Sequence, residues 1–95
     1  MATISNIIQS PLFLKKKKRL NKNEIKALDD AVRKIIETPE IGKLKVGDLS
    51  GIRVYKFKTL KTLTLLAYEI SGDTLFLYTF GSHENFHRAL KKYIP

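Results

Sequence analysis

Residues 52–80 read IRVYKFKTLKTLTLLAYEISGDTLFLYTF, and this stretch decides the fold. Ile52–Lys58 alternates, with Arg53, Tyr55 and Phe57 on one face of a strand and Val54, Lys56 and Lys58 on the other. Leu63–Ile70 is nearly all apolar and β-favouring, which suits a central strand. Ser71-Gly72-Asp73 reads as a turn, and Thr74–Phe80 is again β-rich up to Gly81. Three strands in such close succession predict an antiparallel meander.

Upstream, Ala2–Gln9 has the β-favouring residues Thr3, Ile4, Ile7 and Ile8 and reads as a short strand. Ser10-Pro11 is a helix start, with Ser at the N-cap and Pro at the first helical position. A helix over Pro11–Leu20 follows, burying Leu12, Phe13 and Leu20. Asn21-Lys22-Asn23 breaks it, and Asn23 is expected to cap a second helix from Glu24 to about Thr38. There Ile25, Leu28, Ala31, Val32, Ile35 and Ile36 form one apolar stripe at helical spacing. Pro39 limits this helix, and so short a break makes the pair a helical hairpin. Residues 41–51, with two internal glycines and Ser50-Gly51, read as a loop; His83–Tyr93 reads as a short terminal helix. The predicted order is β-α-α-β-β-β-α. It is an α+β fold: an antiparallel sheet with an N-terminal strand and a helical hairpin on one face.

The chain of 95 residues has room for one domain, taken as 1–95. Lys and Arg outnumber Asp and Glu 18 to 9, a net charge of +9, so the expected partners are polyanions or an acidic protein. No acidic residue precedes Glu24, and the densest run is Lys15-Lys16-Lys17-Lys18-Arg19. That run is either a solvated helix face or a phosphate- or protein-docking surface. Cysteine is absent, which excludes thiolate metal sites and cysteine nucleophiles. Two histidines make a structural metal improbable, and no cofactor is expected. The absence of a long apolar run and of a signal-peptide pattern points to a cytoplasmic protein with no membrane partner.

Three features bear on chemistry. Lys56 and Lys58 put two ammonium groups on one strand face, roughly 6.6 Å apart along the strand. Such a pair can assist proton transfer or stabilise an anionic transition state, or simply face solvent. His83 follows Gly81-Ser82 at a strand end, where an imidazole could transfer a proton or merely cap. Arg53, Tyr55 and Phe57 could stack and neutralise nucleic acid, or pack against the helices.

Several of these segments resemble the RelE/ParE superfamily of toxins from bacterial type II toxin–antitoxin modules. The resemblance rests on the Pro turn Thr38-Pro39-Glu40-Ile41 after the helical hairpin and on Tyr55-Lys56-Phe57-Lys58, which is similar to the family's Tyr-Lys-aliphatic-Lys. It rests also on the thirteen-residue step from Tyr55 to Tyr68, which ends Thr64-Leu65-Leu66-Ala67-Tyr68, and on Gly81-Ser82-His83, which looks like the strand end of YafQ-like members. The resemblance implies cleavage of mRNA in the ribosomal A site by attack of a 2′-hydroxyl on the adjacent phosphate, without a metal. By position it implies Lys56 and Lys58 as base or charge stabiliser and His83 as acid or base. Phe86 and His87 fall near an aromatic residue that stacks or moves a proton. Arg53, Arg88, Lys16 and Lys17 are further candidates for substrate binding. Two positions depart from the pattern: Leu65 stands where the family has an arginine, and Ala89 where RelE-type members have a tyrosine. The implied partners are an acidic cognate antitoxin, the ribosome and mRNA. The ParE branch, which inhibits DNA gyrase by binding, is the alternative. A plain nucleic-acid-binding module is the third.

Overall fold

The computed structural model describes residues 4–45, 51–59 and 62–82. Strand β1 (Asn6–Gln9) leads into helices α1 (Pro11–Lys17) and α2 (Lys22–Glu37). A 3-10 turn (Pro39–Ile41) and strands β2 (Lys43–Leu44), β3 (Arg53–Thr59), β4 (Thr62–Ser71) and β5 (Thr74–Ser82) follow. The five strands form one sheet in the order β1-β5-β4-β3-β2. The meander β3-β4-β5 is antiparallel throughout, as its short connections predict. Strand β1 pairs parallel with β5 and forms one edge. The predicted terminal helix, with His83, Phe86, His87 and Arg88, lies outside the described residues. Among the described residues no helix is long and apolar enough to cross a membrane.

Several boundaries differ from expectation, the first at β1, which begins at Asn6 and leaves Ile4 and Ser5 of the expected strand outside it. Helix α2 begins at Lys22, capped by Asn21 and not Asn23. The Asn21 side chain accepts from Glu24 N at 2.8 Å, and Glu24 Oε1 accepts from Asn21 N at 3.0 Å. This reciprocal box needs a carboxylate three residues after the cap; a cap at Asn23 would put Lys26 there. Helix α1 ends at Lys17, three residues short of Leu20, so the two helices can turn back across the sheet. The expected loop contains the turn at 39–41 and strand β2, which pairs with Arg53 and Val54.

The core lies between the helices and one sheet face. Phe13, Leu28, Ala31 and Ile35 pack there on Leu66, Tyr68, Leu75, Leu77 and Phe80, with Tyr55 and Phe57 partly buried beside them. Of the two readings of Tyr55 and Phe57, the packed one holds. The opposite face carries a smaller cluster of Ile52, Val54, Leu65 and Ala67, with Tyr78 against it. Gly42 is fixed by close approach: a Cβ there would lie 2.7 Å from the Tyr68 hydroxyl oxygen. Gly72 holds the β4–β5 turn with φ +61°, a conformation in which side chains are strained.

Candidate functional site

The two lysines of β3 lie exposed on the sheet face away from the helices. Register fixes their neighbours. Lys56 is directly opposite Leu65 on β4, and Lys58 is opposite Leu63. Leu65 is in turn opposite Gly81 on β5. Cross-strand partners point to the same side of a sheet, so Lys56, Leu65 and Gly81 form one row on the lysine face. The row ends where β5 reaches Ser82, and His83 is the next residue in the chain.

A third ammonium reaches this row from α1. The helix runs along the part of β5 that β1 leaves unpaired, since β1 stops opposite Leu77. Ser10 N donates to Leu77 O at 3.0 Å, and the Ser10 hydroxyl donates to Tyr78 O. Phe13, one turn later, meets Phe80 edge-to-face at 5.2 Å. Lys16, another turn on, donates from Nζ to Phe80 O at 2.9 Å. Its amine lies 3.4 Å from where a Cβ on Gly81 would stand. Burial pushes the Lys16 amine below the usual lysine pKa.

The rest of the basic run separates from it. Lys17 turns to α2 and pairs with Asp29 at 3.5 Å, while Lys15, Lys18 and Arg19 face solvent. Arg53 is not brought to the lysines. It lies on the helix-side face, where its guanidinium donates to Gly42 O at 2.9 Å and holds the turn after α2. Tyr68 works with it: its hydroxyl donates to Pro39 O at 2.7 Å and accepts from Gly42 N at 2.9 Å. Tyr68 thus joins the core, and burial raises the pKa of its hydroxyl above the ordinary tyrosine value. A cleft of about 190 Å³ opens on the helix side among Leu20, Leu28, Phe57 and Phe80, on the face opposite Lys56 and Lys58. Polar groups of Glu24, Thr59, Thr62, Thr64 and Ser82 line it as well, and its charged side chain, Glu24, is acidic and does not suit an anion. Among the described residues no cluster of three His, Cys, Asp or Glu could hold a metal ion.

Of the two substrate-binding candidates in the run, Lys16 leaves it for the sheet edge and Lys17 does not. The signal was present in the spacing of Ser10, Phe13 and Lys16, which share one helix face.

A short helical pair on one side of a meander sheet, with paired lysines on the other, makes this a small protein of the α+β class. E. coli toxin RelE, solved in the free state as a double mutant, is similar to this chain with a TM-score of 0.69 at 18% identity, over 97% of this chain and 98% of that one. A YoeB/ParE toxin from Agrobacterium tumefaciens gives 0.66 at 17% identity, over 83% and 99%. YafQ from E. coli gives 0.54 at 18%, over 85% and 96%. No curated sequence matches. Residues 7–91 match the family of ParE-like toxins of type II bacterial toxin–antitoxin systems. The chain belongs to that family, and it is a type II toxin of the RelE/ParE superfamily.

Proposed function

We propose that this toxin, one domain over residues 1–95, is an endoribonuclease that cleaves mRNA in the ribosomal A site and so stops translation. The observation that carries this reading is the placement of two exposed side chains, Lys56 and Lys58, together on the sheet face away from the helices, one row from the strand end that leads to His83. Cleavage needs a group to take the proton of the 2′-hydroxyl, cationic stabilisation as the 2′-oxygen attacks phosphorus, and a donor to protonate the departing 5′-oxygen. Lys56 and Lys58 supply charge and a base; His83 serves as acid or base, and Phe86 and His87 lie a few residues beyond it. Arg88 is a candidate phosphate contact in the same segment.

An acidic cognate antitoxin is the expected partner, and the net charge of +9 supports it. RelE itself has been solved in complex with its antitoxin. Both events belong in the cytoplasm, where ribosomes and antitoxin meet the toxin.

The test is cleavage of programmed mRNA by the purified protein on purified ribosomes. Wild type is expected to cut in the A site, and Lys56→Ala with His83→Ala is expected to abolish both cleavage and growth arrest. Intact mRNA with wild type, or undiminished cleavage by the double variant, sinks the reading. One observation favours a second reading, gyrase inhibition by binding. The residue at 65 is a buried leucine, so a charge implied by the resemblance is missing beside Lys56. Blocked supercoiling with growth arrest indifferent to Lys56 would establish that alternative.

A further inference from the structure

The cleft on the helix side lies at one end of the sheet. Thr59 ends β3, Thr62 begins β4 and Ser82 ends β5, and all three line it together with Glu24 of α2. Register puts Phe57, Thr64 and Ser82 in one row across it. Thr64 is only 7% exposed, yet its hydroxyl has no hydrogen-bond partner among the described residues. A buried hydroxyl left so is costly unless something in the cleft meets it. Glu24 is held in place, since its Oε1 accepts from Asn21 N at 3.0 Å, and no cation pairs with it among the described residues. Phe57 is half-buried, its ring centroid 6.3 Å from that of Tyr55 and the two planes 16° apart. The cleft thus offers an aromatic wall, hydroxyls and a carboxylate that only accepts, within about 190 Å³. This chemistry suits a flat, neutral, donor-bearing ring and repels a phosphate.

We propose that this cleft is a nucleobase pocket that takes guanine from single-stranded RNA. The inference rests on the ribonuclease reading for its substrate and extends it to base recognition. Thr59 follows Lys58 and Ser82 precedes His83, so the pocket stands at the same end of the sheet as these two residues, on the face opposite Lys58. Lys18 and Arg19, both exposed, precede Leu20 of the cleft wall and suit the phosphates of the strand that delivers the base. Guanine carries two adjacent donors on its Watson–Crick edge, N1–H and N2–H, and a carboxylate accepts both. Adenine and cytosine set a ring acceptor beside their amino donor, and uracil flanks its N–H with carbonyls. Each of these three turns a lone pair toward Glu24. The Phe57 ring stacks the base, and the Thr64 hydroxyl gains its missing partner.

Two measurements test this on the full chain. The first is NMR titration with uncleavable 2′-O-methylated trinucleotides that carry guanine, adenine, cytosine or uracil between two uracils. Wild type is expected to bind the guanine probe roughly tenfold more tightly than the others, with shifts at the Thr62, Thr64 and Ser82 amides. Glu24→Gln keeps the helix cap, because glutamine serves in the same box, but replaces an acceptor with a donor, and is expected to erase the preference. Thr64→Val is expected to weaken the guanine probe several-fold. The second is ribosome-dependent cleavage of mRNAs that differ in the A-site codon, where Glu24→Gln is expected to lose a guanine preference that wild type shows. Equal binding of the four probes by wild type, or a guanine preference undiminished in Glu24→Gln, overturns the proposal and leaves the ribonuclease reading standing; the cleft is then a seat for an apolar side chain of the antitoxin. If wild type does not cleave but binds the guanine probe in a Glu24-dependent way, the ribonuclease reading falls and the guanine pocket stands.

Discussion

Tyr68 shows how one side chain can fix a turn far away in sequence. Its hydroxyl bonds Pro39 O and Gly42 N, and its ring leaves no room for a Cβ on Gly42. Tyr68→Phe strands both backbone groups and is expected to lower stability by about 1–3 kcal/mol, read by urea unfolding. The pH dependence has a defined sign. The folded-state pKa is raised, so the contribution is fully present below the unfolded value near 10 and is lost as pH rises through the folded one. The stability gap between wild type and Tyr68→Phe should therefore shrink above pH ~10. Thr79 is the opposite case. Its hydroxyl is buried and meets no hydrogen-bond partner among the described residues. Thr79→Val is expected to be neutral or to stabilise by about 1 kcal/mol. A rise in urea sensitivity would show that the hydroxyl has a partner after all.

At the scale of the element, α2 is held at its start by the Asn21–Glu24 box. Asn21→Ala should cost about 1 kcal/mol, whereas Asn23→Ala, an exposed residue within the first turn, should stay within ±0.5 kcal/mol. Equal costs from the two would mean the helix starts later. The order of strands and helices is legible in residues 4–82 because alternation and helical spacing are local properties. The start of α2 lies two residues before the expected one because two asparagines compete for the cap. Only the carboxylate three residues on separates them. Strand β2 is not legible in the sequence because two residues carry no periodicity; it exists as a ladder on Arg53 and Val54.

At the scale of the whole molecule, the +9 charge is distributed by role. Lys15, Lys18 and Arg19 face solvent, Lys17 ties α1 to α2, and Arg53 ties the turn after α2 to the sheet. Salt screens exposed charges within about 10 Å at 0.1 M. Association with an acidic antitoxin is therefore expected to slow markedly between low and physiological salt, measurable by stopped flow. Charge reversal at the solvent-facing Lys15 and Lys18 should lower that rate, and an unchanged rate would place the antitoxin contact elsewhere. Conversion of Lys15 or Lys18 to alanine is expected to leave the fold intact, since neither side chain is buried.

What the sequence by itself determined is local: the alternation that puts Lys56 and Lys58 on one face, the apolar stripe of α2, the Ser10 cap and the turn at Gly72, and the excess of positive charge. Each follows from spacing within one element, where a period of two or of 3.6 residues assigns sides without reference to anything distant. What only the tertiary structure decided is which charges meet. Lys16 and Gly81 are 65 positions apart in the chain, and they become neighbours because β1 is short enough to leave the end of β5 open to α1. Arg53 is three residues from Lys56, yet it faces away, because an odd separation on a strand puts two side chains on opposite sides. Proximity in sequence and proximity at the site are different quantities, and the sheet register converts one into the other.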